Sequence, residues 1–376
     1  MKEVVGKYCT AKVFTDNVEN SAIGQLTTLC NQPFTEGSII RVMPDVHAGK
    51  GSTIGTTMTY SDKVCPFIVG MDISCGVLVV KLKEKRIDLP KLDSIIHKNI
   101  PTGSNLRKKT HRFARDSKID ELVAYCGNYM DGQLAIGTLG SGNHFISIEK
   151  DEEENLYLLI HTGSRNPGKR VCEWYQEKAY KNLKKQQTEE PIYELSFVYG
   201  EMLDNYLHDM GILEEYSHLN RTAIADVILS EMKLHGIASF ETLHNYIDLD
   251  NKIIRKGAVS AQKGEQLVIP INMKDGSLIC VGKGNKEWSY SAPHGAGRLM
   301  SRKESEQSFT LSQYKNEMKG IYSTTICKET LDESPMSYKP IESILDNISD
   351  TVDVIKHIKP IYNFKGVEFR NKGKRR

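Results

Sequence analysis

The chain has 376 residues, 39% apolar and 26% charged, with a formal net charge of +2. That balance excludes a disordered polymer, and no apolar run approaches the roughly 20 residues that cross a bilayer. The eight cysteines lack paired spacing and residues 1–7 lack the apolar core of a signal peptide, so the expected compartment is a reducing cytoplasm, with no membrane partner.

In chain order, 38–46 and 64–82 are rich in Ile, Val and Phe and read as strands. Within the second, 64–69 and 77–82 would be buried strands flanking Asp72 and Cys75. The stretch 83–135 is more polar, with helices expected near 92–99 and 119–130. A glycine-rich turn at 137–142 delivers Asn143 and His144, and a strand at 156–161 delivers His161. From Lys169 to about Leu234 the pattern is helical, in three segments broken near Glu189-Glu190-Pro191 and at Gly211. Strands return at 266–271 and 277–281, joined through the turn signal Asp275-Gly276. Residues 303–319 and 341–358 read as helices. Without internal repeats, linkers or a composition break, the expectation is one α+β domain over 1–376.

Local charge says more than the total. Arg107-Lys108-Lys109, with His111, Arg112 and Arg115 around Phe113, forms one basic stretch, and about 370–376 forms a basic tail. Such runs neutralise nucleic-acid phosphates, or are simply a solvated loop and a frayed end.

Polar clusters stand beside the apolar runs: Asp45-Val46-His47, Asp72-Ile73-Ser74-Cys75, Asn143-His144, His161-Thr162-Gly163-Ser164-Arg165 and His244-Asn245. Ligands at the ends of rigid strands are held with the precision a metal site needs. The most informative run is Ser291-Ala292-Pro293-His294-Gly295-Ala296-Gly297-Arg298. Small residues let backbone approach a bulky polar ligand, and arginine presents a fork of donors matched to phosphate. Ser301 and Glu304 fit a capping box, so a helix start adds partial positive charge. A nucleophile beside a phosphate cradle is the layout of an enzyme that handles a nucleotide covalently.

As an ordered set these runs resemble the RtcB family of RNA ligases. They are Met43-Pro44-Asp45-Val46-His47-Ala48-Gly49-Lys50-Gly51, Gly70-Met71-Asp72-Ile73-Ser74-Cys75-Gly76, Gly140-Ser141-Gly142-Asn143-His144-Phe145, and the His161 and His244 runs. Asn220-Arg221, Arg255-Lys256-Gly257-Ala258, the His294 run through Ser301-Arg302, Asp332-Glu333-Ser334-Pro335, Tyr338-Lys339 and Lys365-Gly366 complete it. The resemblance implies an RtcB-like α+β fold, with mixed sheets surrounded by helices. It also implies a GTP- and Mn²⁺-dependent cytoplasmic ligase joining RNA 3′-phosphate or 2′,3′-cyclic phosphate ends to 5′-hydroxyl ends, in RNA repair or tRNA splicing, with room for an activating protein partner.

By that likeness His294 attacks the α-phosphate of GTP to give a covalent histidine–GMP. Cys75 bridges two Mn²⁺ ions, with Asp72 and His144 on one and His161 and His244 on the other. Asn143, Ser277, Gly295, Ala296, Gly297, Arg298 and Lys365 match a guanylate pocket, and His47, Arg165 and Arg302 are expected on RNA phosphates. Donor chemistry alone points to zinc for a Cys-His site; manganese comes from the resemblance. Two competing readings are a dinuclear phosphoesterase that only opens RNA cyclic phosphates and a non-catalytic RNA-binding protein. Ser147 stands where the family has an acid that looks toward guanine, and Asn272 departs from the family's guanine-side loop. With Lys50, the extension past Gly366 and a compact length, these mark a divergent paralogue, in which looser discrimination between GTP and ATP is expected.

Overall fold

The computed structural model describes residues 1–124, 127–186 and 189–367; the basic tail lies outside the described residues. Two large sheets organise the chain. A six-stranded sheet runs in the order Lys2–Val5, Thr10–Val13, Ile40–His47, Ile54–Thr59, Ile253–Lys256, Asn245–Asp248. Its pair Thr10–Val13 with Ile40–His47 is parallel, so the sheet is mixed. A seven-stranded antiparallel sheet runs Gly236–Leu243, Gly76–Leu82, Leu156–Thr162, Phe145–Lys150, Val352–Lys365, Gly276–Gly282, Gln266–Asn272. It curls so that its two edge strands meet, the amide of Val268 donating to Thr242 Oγ1 at 3.1 Å.

Side chains alternate across a strand, and both faces of this sheet are apolar. One face packs Val77, Val79, Phe145, Tyr157, Leu159 and Ile279 together. The other packs Leu78, Val80, Ile146, Leu158 and Ile160 against Ile224 and Ile228 of the helix Glu201–Met232. The register then gathers the polar clusters at one end. Gly76 pairs with both Thr162 and Leu243, and Phe145 pairs with both His161 and Lys365. Cys75, His144, His161, His244 and Lys365 therefore all emerge at the same edge of the sheet.

The structure bears out the α+β class and most strands, and corrects several boundaries. Residues 64–69 are not a strand: after the two-residue strand Lys63–Val64, the helical turn Pro66–Val69 begins with Pro66 in its first positions. Proline suits the start of a helix because its missing N–H has no partner there anyway. The helix expected over 119–130 is a short turn, Ile119–Glu121, and the helix Tyr129–Ala135 starts only after Asn128 caps it. The span 303–319 is two helices, Arg302–Ser308 and Leu311–Glu317, because Thr310 and Gln313 form a second capping box. The helix expected over 341–358 ends at Ile348, and Val352–Lys365 is a central strand. Val352, Val354 and Ile355 near its start are β-branched, and its length lets it pair with two neighbours.

Gly211 breaks nothing. It lies inside the 32-residue helix Glu201–Met232, and a Cβ added there would meet nothing within 4 Å. The buried apolar side chains of that helix outweigh the cost of one glycine, about 1 kcal/mol relative to alanine. Gly211→Ala should therefore raise the unfolding free energy by about 0.5–1 kcal/mol in denaturant titrations. A destabilisation would mean that the backbone is not helical at that point.

Candidate active site

The site is fastened from outside by two neighbours on the long helix. Asn220 Oδ1 accepts from the amides of Gly137 (2.8 Å) and Thr138 (3.1 Å), while its Nδ2 donates to the Gly163 carbonyl at 3.1 Å. Arg221 is fully buried, and its Nη1 donates to the carbonyls of Ser74 (2.9 Å) and Thr162 (2.7 Å). Its Nε pairs with Glu241, three residues before His244. Burial opposes ionisation of Glu241, yet the Arg221 charge prevails and holds that carboxyl down at about 2. One helical turn thus ties together the segments that carry Cys75, His144, His161 and His244.

Those residues converge. Cys75 Sγ lies 3.5 Å from His144 Nε2 and 3.2 Å from His161 Nε2. His161 Nε2 is 3.3 Å from His244 Nε2, and His144 Nε2 is 2.8 Å from Asp72 Oδ2. Two donor groups result, Cys75–His161–His244 and Asp72–Cys75–His144, each with its ligand atoms within 4.8 Å and both containing Cys75. His144 Nδ1 sits 2.8 Å from the Leu139 carbonyl and His161 Nδ1 sits 3.2 Å from that of Asn143. Those carbonyls take the Nδ1 protons and leave Nε2 lone pairs aimed at the centre. Burial, first of all, pushes His161 and His244 well below the ordinary histidine range and the Cys75 thiol well above its own. Burial also opposes ionisation of Asp72, but the neighbouring His144 holds it at about 2. Buried lone pairs facing one another are costly unless a cation sits between them, so the donor set fits two metal ions sharing a sulfur. Gly163 is required here, since a Cβ would fall 2.4 Å from Asp72 Oδ1.

His294 follows the strand Ser291–Pro293 at the other wall. Its Nδ1 is 2.6 Å from Asp45 Oδ2, and its backbone amide donates to the same oxygen at 3.2 Å. Asp45 is wholly buried. The ring centroid of His294 lies 4.9 Å from that of His244. The carboxylate keeps the proton on Nδ1, which leaves Nε2 as the free nitrogen. Gly297 adopts φ +76°, and a Cβ there would sit 2.2 Å from the Asp45 carbonyl. Asp45 was visible only as part of a polar cluster; its role as the partner of His294 needs the fold. His47 Nδ1 lies 2.9 Å from the Asp45 carbonyl, and burial lowers its pKa to about 4.

A cavity of about 730 Å³ joins these parts, lined by His161, His244 and His294. His47, Asn143, Ser277, Gly295, Ala296, Gly297, Arg298, Arg302 and Lys365 also line it. A family model described as tRNA-splicing ligase RtcB matches residues 25–130 and 128–366. The chain belongs to the RtcB family. The RNA-splicing ligase RtcB of Escherichia coli strain K12 is 31% identical over 395 residues, covering 93% of this chain and 95% of the relative. The RNA-splicing ligase RtcB1 of Escherichia coli strain ATCC 25922 shows the same identity and coverage. The tRNA-splicing ligase RtcB of Aeropyrum pernix is 27% identical, covering 90% of this chain and 89% of the relative.

In this RtcB-family chain three cations face the cavity around one buried acid. Glu333 takes Lys365 Nζ at 3.0 Å and Arg298 Nη1 at 3.3 Å, and it also pairs with Arg302. Burial opposes the Glu333 charge, but these cations, Lys365 foremost, hold its carboxyl far below the usual range. Even with Asp332 on Arg302, positive charge is in excess, which suits phosphate. Arg165 is apart from this cluster. It lines a second groove with Lys169, Arg170 and Lys328, which meets the cavity at Asp72, Asn143 and Arg302. The two positions that depart from the family pattern are both engaged by neighbours. Ser147 is fully buried and donates its hydroxyl to Glu149 Oε1 at 2.8 Å. Asn272 lines the cavity, and its Oδ1 accepts from the amides of Lys274 and Asp275, both at 2.9 Å.

Because Cys75 belongs to both donor groups and His244 to one, the two substitutions should differ. Cys75→Ala should strip tightly held divalent metal from both groups, and His244→Ala from one. Metal analysis by mass spectrometry after dialysis reads this directly. Equal loss in the two variants would contradict a shared sulfur.

Proposed function

We propose that this chain, as one domain over 1–376, is an RNA ligase that uses GTP to join RNA 3′-phosphate or 2′,3′-cyclic phosphate ends to 5′-hydroxyl ends. Family membership supports RNA ligation. The observation that carries the covalent route is the Asp45–His294 couple, with its free Nε2 in the cavity that also holds the Cys75 centre and the Glu333 cations.

The donor set fits two divalent ions, Asp72 and His144 beside Cys75 on one side and His161 and His244 on the other; the family resemblance names manganese. When bound, the ions would supply charge stabilisation to a phosphoryl group in transfer. The remaining work falls to the chain. Nε2 of His294 attacks the α-phosphorus of GTP, an N–P bond forms, and pyrophosphate leaves. The Nδ1 proton stays against Asp45, whose carboxylate balances the charge that the ring acquires. Lys365, Arg298 and Arg302 hold phosphate oxygens in place. GMP then passes to the RNA 3′-phosphate, which converts a poor electrophile into one with a good leaving group. The 5′-hydroxyl attacks and releases GMP; a cyclic end is first opened by water. His47 and Arg165 are assigned to RNA phosphates. A phosphoesterase confined to cyclic ends would leave the Asp45–His294 couple without a task.

His294→Ala should still bind metal and RNA, yet neither take up GMP nor seal 3′-phosphate ends. It should seal a pre-guanylylated RNA end slowly, because the last displacement does not use this nitrogen. Normal sealing of 3′-phosphate ends by the variant would overturn the reading. Asp45→Asn keeps the shape but loses the charge that orients the ring, and should slow GMP uptake by about 10²–10⁴. Single-turnover rates with labelled GTP measure it, and an unchanged rate would remove Asp45 from the mechanism.

A further inference from the structure

Three side-chain atoms in the walls of the cavity are buried and unpartnered: Glu149 Oε2, Ser277 Oγ and Asn363 Oδ1. They come from three adjacent strands, Phe145–Lys150, Val352–Lys365 and Gly276–Gly282. Buried polar atoms almost always find partners, and a lone carboxylate oxygen is among the most costly to leave bare. One such atom is a local defect; three around one cavity describe the outline of a missing polar ligand. Glu149 is held ready for it. Its other oxygen takes the Ser147 hydroxyl at 2.8 Å, and Ser147 pairs in register with Asn363. Among the described residues no basic side chain bonds to it: Lys365, two residues beyond Asn363, is engaged by Glu333 and the Asn143 carbonyl.

We propose that Glu149 is the residue that selects the base of the bound nucleotide, accepting the two adjacent N–H donors of a guanine edge. The inference rests on the reading that His294 reacts with a nucleoside triphosphate in this cavity. A carboxylate has two acceptor oxygens side by side and no donor. Guanine presents N1–H and the 2-amino group side by side and matches it. Adenine presents a bare ring nitrogen at the corresponding place, where two lone pairs would oppose each other. Guanine also offers O6 as an acceptor, for which the Ser277 hydroxyl and the Asn363 amide supply donors; which way that amide points is set by the partner it meets.

The placement differs from the one the family resemblance suggests. The acid stands two residues beyond Ser147 on the same strand face, about 7 Å further along. Ser147 is then the anchor of the base-reading carboxylate rather than a gap in the pocket. The expectation of loose discrimination between GTP and ATP reverses, because a site built to hydrogen-bond one edge rejects a mismatched edge strongly.

Binding of GMP, IMP and AMP to the metal-loaded protein, measured by calorimetry, isolates recognition from chemistry. Wild type should prefer GMP to AMP by about 100-fold or more. IMP lacks the 2-amino donor and should bind about 10-fold or more weaker than GMP, a comparison that needs no variant. Glu149→Gln should lose about 10- to 100-fold in GMP affinity while AMP is unaffected or gains. If wild type binds GMP but makes no distinction from IMP, or if Glu149→Gln retains the full GMP preference, the assignment of Glu149 falls and the nucleotide reading stands. If none of the three binds, the nucleotide reading falls with it.

Discussion

The arrangement depends on one buried clamp. Asn220 and Arg221 sit in the second half of the helix Glu201–Met232 and hold four segments that are far apart in sequence. Three of the segments are held through backbone amides and carbonyls, and the fourth, which carries His244, through the Glu241 carboxylate. A guanidinium buried without partners would be severely destabilising, and here two carbonyls engage Nη1 and the Glu241 carboxylate engages Nε. The helix that carries this clamp runs unbroken through Gly211. A hinge there would free the turn that aligns Cys75, His144, His161 and His244.

With the frame fixed, charge is sorted by wall of the cavity. Neutral imidazoles and a thiol meet at the end of the seven-stranded sheet, where burial disfavours their charged histidine and thiolate forms until a metal is present. Cations gather along another wall of the cavity around Glu333, which keeps Lys365, Arg298 and Arg302 from repelling one another without cancelling them. A carboxyl stands at another wall: burial pushes Glu149 up to about 7, with the hydrogen bond from Ser147 and the nearby Ser277 hydroxyl drawing it back. Between these zones the Asp45–His294 couple presents one nitrogen to the cavity. A nucleotide whose base, phosphates and α-phosphorus meet these three environments in turn would be aligned by electrostatics before any side chain moves.

Much of this was legible in the chain because short motifs carry their chemistry locally. The Ser301–Glu304 capping box forms as expected, with the Ser301 amide donating to Glu304 at 2.8 Å. The clusters around Cys75, His144, His161, His244 and His294 were recognisable since strand ends and glycine turns announce them. What stayed hidden depends on pairing across the fold. Asp45, Glu333 and Glu149 hold their roles through partners 249, 32 and 2 residues away, and in the last case through strand neighbours no local pattern names. The strand Val352–Lys365 was concealed for a related reason. Its apolar residues are compatible with a helix until Gly276–Gly282 and Phe145–Lys150 supply hydrogen bonds on both sides. Pro66–Val69 shows the converse ambiguity, a continuous apolar run whose proline decides for a helical turn.

The central claim is that one histidine, oriented by one buried carboxylate, carries the nucleotide covalently. Peptide mapping by tandem mass spectrometry, after brief incubation of the protein with GTP and Mn²⁺ and quenching in alkali, addresses it most directly. The account predicts a single GMP-bearing peptide, the one containing His294. GMP on another histidine or on a lysine, or no adduct from protein shown to seal RNA with GTP, would contradict it.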